Sequence, residues 1–127
     1  MYQRSIWDSF RLAGQGLIFV FNTERNMKIH CAFAVMAVVC SVVFRIQAIE
    51  FIFIILSITL VMIAETANTA FELLLDFVHG DRYHPDVKML KDVAAGGVFI
   101  ATVNAVVVGL VIFLPRFYCI GCSLASR

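Results

Sequence analysis

The sequence predicts an all-α membrane protein in which an amphipathic surface helix precedes three membrane-spanning helices. Of its 127 residues, 61% are hydrophobic and only 15% are charged, and the mean hydropathy is +0.91. Soluble domains carry about 25% charged residues and about 45–50% apolar ones. Three long apolar stretches add to this contrast, and the length suits one domain over residues 1–127. The near balance of ten basic and nine acidic residues argues against a nucleic-acid-binding protein.

The first helix is predicted over about residues 5–21. Apolar residues recur there at steps of three and four, from Ile6 and Phe10 onward, whereas the charged residues face elsewhere. A helix of this kind lies in the plane of the membrane interface, and Trp7 is an interfacial anchor by residue type. Its early polar residues and its lack of a small-residue cleavage site distinguish it from a signal peptide, so we expect it to be retained.

Three apolar stretches are candidates to cross a bilayer, whose hydrocarbon core requires ~20 residues of helix. They cover about residues 29–47, 49–72 and 93–114, and the first is short enough to need flanking residues. Each is expected to be helical, because a strand edge in lipid would leave backbone groups unpaired. The short link over residues 45–48 makes the first two spans an antiparallel hairpin.

The distribution of basic residues predicts the orientation of these spans. Seven basic residues lie before the first span or between the second and third, and three lie on the opposite side. The seven are Arg4, Arg11, Arg25, Lys28, Arg82, Lys88 and Lys91, and the three are Arg45, Arg116 and Arg127. The positive-inside rule therefore places the N-terminus and the long loop in the cytoplasm.

A polar stripe interrupts the second apolar stretch near its end. Glu65, Asn68, Glu72 and Asp76 are three or four residues apart, which places them within roughly an 80° arc of one helix. Ionisable groups in a membrane span are functional candidates by default, because they are costly there. Glu65 and Glu72 would lie ~10 Å apart along the axis and could hold the two ends of an extended, metal-bound ligand. The alternative is a solvated cytoplasmic end of the helix, above all for Asp76.

A second polar cluster follows in the loop and at the start of the third span. Arg82, Tyr83 and His84 precede Lys91 and Asp92. A lysine beside a helix N-terminus provides positive potential suited to phosphate. A lysine that snorkels to the interface and a structural histidine are the alternatives.

Glu24 lies where the surface helix turns into the first span, and the topology puts it at the same membrane surface. Acidic residues and a lysine at one surface suggest Mg²⁺–nucleotide chemistry, since Mg²⁺ is commonly bound by one or two carboxylates together with phosphates. The chain has neither a P-loop nor the signature set of soluble protein kinases. A kinase built on these residues would therefore be of another design.

Taken together, these segments resemble the small prokaryotic diacylglycerol kinase family, and most closely its undecaprenol kinase branch. The resemblance runs from about Phe10 to Pro115, in order and with matching spacing. The segments that carry it are TERNMKIH from residue 23, ETANTAFE from residue 65 with Asp76 beyond it, KDVAAG from residue 91, and VGLVIFLP from residue 108.

The resemblance implies a homotrimer in the bacterial cell (inner) membrane, with active sites at the cytoplasmic surface. It implies transfer of the ATP γ-phosphate to the hydroxyl of a membrane lipid, and it leaves undecaprenol and diacylglycerol both open as substrates. By position, Glu65 would be the general base, and Glu24 and Glu72 would hold Mg²⁺ and thereby ATP. Asn68 and Asp76 would support the site.

The nucleotide contacts implied by the resemblance come from the loop and the start of the third span. They are Arg82, Tyr83, His84, Lys91 and Asp92, in addition to the two metal-binding glutamates. The loop between Asp76 and Lys91 is one residue longer than in some relatives. The N-terminal substrate contacts are left unassigned.

Two other functions compete with a lipid kinase. A protein that relays protons or cations could use Glu65 and Glu72, but Asn104 is the single strongly polar residue inside the third span, so no polar path is expected to cross the membrane. A non-catalytic membrane subunit could use the polar cluster to pair helices. That hypothesis leaves Glu24, Lys91 and Asp92 without a shared purpose.

The four cysteines carry little information. Cys31 and Cys40 are expected to be small apolar fillers of the first span. Cys119 and Cys122 form a CxxC on the predicted outer side. A disulfide, a zinc site with two further ligands, and incidental residues all remain open for that pair.

Overall fold

The computed structural model describes residues 5–80 and 84–125, with side chains up to Tyr118. These residues form four helices and no strand: α1 (Ile6–Thr23), α2 (Arg25–Val43), α3 (Ala48–His79) and α4 (Pro85–Ala125). Three of them, α2, α3 and α4, are long and apolar enough to cross a membrane, and α1 precedes them. The predicted fold class, an N-terminal helix followed by three apolar membrane-length helices, is confirmed.

The chain passes from α1 to α2 at a single residue, Glu24. Its backbone is extended (φ −91°, ψ 121°), which breaks the helix without a loop. The Glu24 N–H donates to Val20 O at 2.8 Å and so closes α1. The Glu24 side chain makes no capping hydrogen bond with α2, which leaves its carboxylate available for other partners. On the outer side of α1, Trp7 is 82% exposed, as an interfacial anchor would be.

The turn between α2 and α3 ends α2 earlier than the predicted span of residues 29–47. Arg45 adopts φ +48°. The Arg45 N–H donates to Val42 O and the Ile46 N–H donates to Ser41 O, both at 3.2 Å. This pair of bonds is the Schellman motif, in which a left-handed residue satisfies the last carbonyl groups of a helix. Glycine usually occupies that position. Because arginine stands there instead, the sequence does not indicate where α2 ends.

A capping box begins α3 directly after this turn. The Gln47 N–H donates to Glu50 Oε2 at 2.8 Å, and the Gln47 side chain accepts from the Glu50 backbone in return. Glu50 also pairs with Arg116 of α4, with 2.6 Å between Oε2 and Nη2. The Arg116 guanidinium donates in addition to Ile112 O. Glu50 lies fifteen residues before Glu65, about 22 Å away along the helix axis, so this ion pair fastens the opposite end of the α3–α4 pair.

The fourth helix is longer than the predicted span of residues 93–114 at both ends. It begins at Pro85, where proline suits the first helical turn because its missing N–H has no partner there anyway. It then continues through Pro115, which deprives Val111 O of its helical donor. The buried apolar side chains of α3 and α4 include Ile54, Val61 and Ala101. The same interior stripe of α3 leads directly to Glu65.

Candidate active site

The carboxyl-terminal half of α3 carries a carboxylate withdrawn from solvent. Glu65 is 1% exposed and follows Val61, a core residue, by one helical turn. Thr69 is also buried, but its hydroxyl donates to the Glu65 backbone oxygen at 3.0 Å and therefore does not pair with the carboxylate. Within the described part of the chain, Glu65 Oε2 has no hydrogen-bond partner. Because a buried polar group without a partner is costly, this oxygen is suited to a ligand that donates a hydrogen bond.

Asn68 and Glu72 form a polar pair one turn further along α3. Asn68 Nδ2 donates to Glu72 Oε1 at 2.8 Å, and both residues are half-buried. The bond fixes the orientation of the Glu72 carboxylate and leaves its second oxygen to other ligands. Asn68 Oδ1 is a further buried oxygen without a partner among the described residues.

Glu24 brings a third carboxylate to this region from the α1–α2 junction. It is half-buried, and the charges of both Glu24 and Glu72 act on Glu65. Three acidic side chains that repel one another in a partly dehydrated place favour the binding of a cation. The structure thus brings Glu24 near Glu65 and Glu72, which follow it by 41 and 48 positions in the sequence.

These carboxylates could supply part of the coordination of a cation, with a bound ligand supplying the rest. Among residues 5–80 and 84–118, no three His, Cys, Asp or Glu side chains form a group able to hold a metal by themselves. Mg²⁺ typically takes one or two carboxylates and completes its coordination with water and substrate phosphates. Glu24 and Glu72 fit this donor set.

Lys91 is held against the α3 stripe by Asp76. The distance between Nζ and Asp76 Oδ1 is 2.6 Å, and the Lys91 side chain is 33% exposed. Glu72 lies one turn before Asp76 on α3, and its charge also acts on Lys91. The prediction that Lys91 opens a helix is wrong, since α4 begins six residues earlier at Pro85. Lys91 therefore offers phosphate its own charge, without the potential of a helix end.

The remaining predicted nucleotide contacts are exposed or lie outside the described residues. His84 precedes α4 and is exposed, and its Nδ1 accepts a hydrogen bond from the Asp86 N–H at 3.3 Å. Asp92 is exposed beside Lys91. Arg82 and Tyr83 lie outside the described residues, as do the side chains of Cys119 and Cys122.

Comparisons with known proteins agree on one family. A family model described as prokaryotic diacylglycerol kinase matches residues 11–113. A diacylglycerol kinase of Synechocystis sp. is 39% identical over 107 residues, which are 84% of this chain and 61% of the relative. The undecaprenol kinase of Bacillus subtilis is 38% identical over 108 residues, which are 85% of this chain and 87% of the relative. The chain thus spans about three fifths of the length of the Synechocystis protein.

Proposed function

The chain belongs to the prokaryotic diacylglycerol kinase family, and from this premise we propose that it transfers the γ-phosphate of ATP to the hydroxyl of a membrane lipid. The observation that carries this proposal is Glu65, a buried carboxylate whose Oε2 has no partner among the described residues and on which the charges of Glu24 and Glu72 act. A general base must lie within hydrogen-bonding reach of the proton that it removes. A hydroxyl that donates to Glu65 Oε2 would meet this condition.

The reaction assigns a separate task to each group. Glu65 accepts the hydroxyl proton while the lipid oxygen forms a bond to the γ-phosphorus, the bond from that phosphorus to the β–γ bridging oxygen breaks, and ADP leaves. The products are a lipid phosphate, ADP and one proton, which Glu65 gives up before the next turnover. Phosphoryl transfer depends chiefly on positioning and on neutralising phosphate charge. A few charged side chains at a membrane surface can supply both.

The groups around Glu65 would neutralise the negative charge of the ATP phosphates. Glu24 and Glu72 would hold Mg²⁺, which when bound offsets the negative charge of the phosphates. The Asn68 hydrogen bond keeps Glu72 in position for this task. Asp76 positions Lys91, whose ammonium group would face the phosphates. Asp92, His84, Arg82 and Tyr83 are proposed as further ATP contacts.

The proposed location is the bacterial cell membrane, with α1 and the active site on the cytoplasmic side. Seven of ten basic residues lie on that side in the predicted topology. ATP is available there. A relay of protons or cations is the weaker hypothesis, because the kinase family accounts for the whole carboxylate cluster and a relay accounts for only part of it.

Undecaprenol is the proposed preferred substrate, with diacylglycerol as the slower alternative. The support is the VGLVIFLP segment and the similarity to an undecaprenol kinase over 87% of that protein. We expect purified protein in mixed micelles, supplied with ATP and Mg²⁺, to release ADP faster with undecaprenol than with diacylglycerol at equal mole fraction. Micelles without a lipid alcohol give the background rate. A higher rate with diacylglycerol would overturn the substrate preference, and background rates with both would overturn the kinase itself.

The proposed active assembly is a homotrimer. Three spans are too few to shield a site from lipid on every side, and the surface of α4 near the site offers room for close approach. A Cβ added at Gly96 or Gly97 would meet nothing within 4 Å, so these glycines leave open space beside the helix. Cross-linking in mild detergent is expected to stop at three chains, and a fully active monomer would contradict the assembly.

A further inference from the structure

A single side chain joins α1 to α2 across their junction. Lys28, in the first turn of α2, donates from Nζ to the backbone oxygen of Asn22, in the last turn of α1, at 2.9 Å. The contact spans Glu24, the one residue between the two helices. Within residues 5–80 and 84–118, no other side-chain hydrogen bond connects α1 with α2. Lys28 is therefore the polar group that links these helices.

The chemistry of a helix end explains this contact. In a continuous helix, Asn22 O would accept from the N–H of Asn26, four residues later, but the chain turns at Glu24 and that bond does not form. Carbonyl groups left open at a helix end carry partial negative charge. The Lys28 ammonium compensates this charge, as basic side chains near helix ends commonly do.

Apolar packing also supports the junction, but without fixing its direction. Val20 of α1 is 6% exposed and Met27 of α2 is 2% exposed, so both are buried within about one helical turn of Glu24. Burial of apolar area is non-directional, whereas a hydrogen bond constrains both the distance and the angle between its partners. The Lys28 contact thus adds the directional restraint that apolar packing lacks.

The direction of the junction determines where the Glu24 carboxylate lies. Glu24 has the only non-helical backbone between the two helices, so a change in the angle between them changes its φ and ψ. Its side chain makes no capping hydrogen bond with α2 that would hold it in place. The charge of Glu24 acts on Glu65, and a pivot at the junction would move the carboxylate relative to Glu65 and Glu72.

We propose that Lys28 is a positioning residue, whose bond to Asn22 O fixes the angle between α1 and α2 and so keeps the Glu24 carboxylate close enough to Glu72 for both to bind one Mg²⁺. The inference rests on the proposed function and adds the group that holds one of its metal ligands in place. Lys28 is exposed, and it acts through the backbone of the junction without touching the metal or the lipid.

Three variants separate the hydrogen bond of Lys28 from its charge. Lys28→Met removes the ammonium group and keeps an unbranched side chain that favours a helix. Lys28→Arg restores a donor for the carbonyl group. Arg25→Met is the matched control, because it removes one positive charge from the same helical turn. Arg25 is exposed, and its side chain has no hydrogen bond to another described residue.

The first measurement is structural and does not depend on catalysis. Spin labels carried by non-canonical amino acids are placed in the full-length chain at Gln15 of α1 and Val35 of α2, both exposed. Labelled protein is diluted with unlabelled protein in micelles, so that pulsed electron paramagnetic resonance reports the distance within one chain. We expect a narrow distribution of distances in the wild type, in Lys28→Arg and in Arg25→Met, and a clearly wider one in Lys28→Met.

The second measurement connects the junction to the metal. Binding of a fluorescent ATP analogue is titrated with Mg²⁺, and ADP formation is measured at saturating Mg²⁺. We expect Lys28→Met to raise the Mg²⁺ concentration for half-maximal binding by about tenfold, as loss of one charge-assisted hydrogen bond does. Its rate at saturating Mg²⁺ should stay close to that of the wild type. Lys28→Arg should restore the Mg²⁺ requirement, and Arg25→Met should leave it unchanged.

Three results would overturn the inference. Equal distance distributions in all the proteins would show that Lys28 does not set the junction. A wider distribution in Lys28→Met with an unchanged Mg²⁺ requirement would separate the junction from the metal. A raised Mg²⁺ requirement with a narrow distribution would show that Lys28 contacts phosphate directly. Wild-type protein that binds the analogue but forms no ADP, with both effects of Lys28→Met present, would support this inference while refuting the kinase.

Discussion

Glu65→Gln is expected to reduce the turnover of lipid phosphorylation by roughly 10²–10⁴-fold, the usual contribution of a general base. Glutamine keeps the size and the hydrogen-bonding shape of the side chain but cannot take the hydroxyl proton. Glu65 is 1% exposed, so water has little access to replace it as the base. The measurement is the rate of lipid phosphate formation by variant protein that elutes like the wild type on size exclusion.

Glu50→Gln is the matched control for this prediction. It removes the same charge from the same helix, at the end fastened to Arg116. Glutamine still accepts hydrogen bonds from Arg116 and from the Gln47 N–H, so α3 should begin normally. We expect this control to retain most of its activity. Turnover in Glu65→Gln equal to that of the control would refute the role of Glu65 as the base.

Glu24→Gln and Glu72→Gln are expected to weaken binding of Mg²⁺–ATP, each by about 10- to 100-fold. The estimate corresponds to the loss of one charge-assisted interaction, about 1.5–3 kcal/mol. Because each variant retains one of the two carboxylates, raising the Mg²⁺ concentration should restore part of the activity. Titration of Mg²⁺ at fixed ATP, with the apparent Mg²⁺ constant as the readout, tests this prediction.

Asp8→Asn is the matched control, because it removes one negative charge outside the proposed metal site. Asp8 is an acidic residue of α1 that lies 3.7 Å from Arg11 and sixteen residues before Glu24, about 24 Å along the helix. Its substitution should leave the Mg²⁺ dependence unchanged. An unchanged Mg²⁺ dependence in both glutamate variants as well would remove Glu24 and Glu72 from the metal site.

The helices could be predicted because apolar residues alone determine where a chain can cross a bilayer. Their exact ends could not, because they depend on local hydrogen bonding. The early end of α2 rests on a left-handed Arg45, in a position where glycine is the usual signal. The continuation of α4 through Pro115 could not be predicted either, because proline ordinarily interrupts a helix.

The polar stripe of α3 was visible as a spacing of three and four residues. The burial of Glu65 cannot be predicted from this spacing. It depends on α2 and α4, which pack against α3. Asp76 shows the same limit: a solvated helix end was an open alternative, and its ion pair with Lys91 joins residues fifteen positions apart. The Glu50–Arg116 pair, across 66 positions, had no sequence signal at all.

The central claim is that the protein uses Glu65, Glu24 and Glu72 to transfer phosphate from ATP to a lipid hydroxyl. Transfer of radioactive phosphate from γ-labelled ATP is its most direct test. Purified protein is incubated in micelles with undecaprenol and Mg²⁺, and label is counted in the organic extract and compared with the ADP formed. We predict one labelled lipid phosphate for each ADP, and loss of both when Mg²⁺ is chelated. Label that appears only as inorganic phosphate, or no label above the background without protein, would contradict the claim.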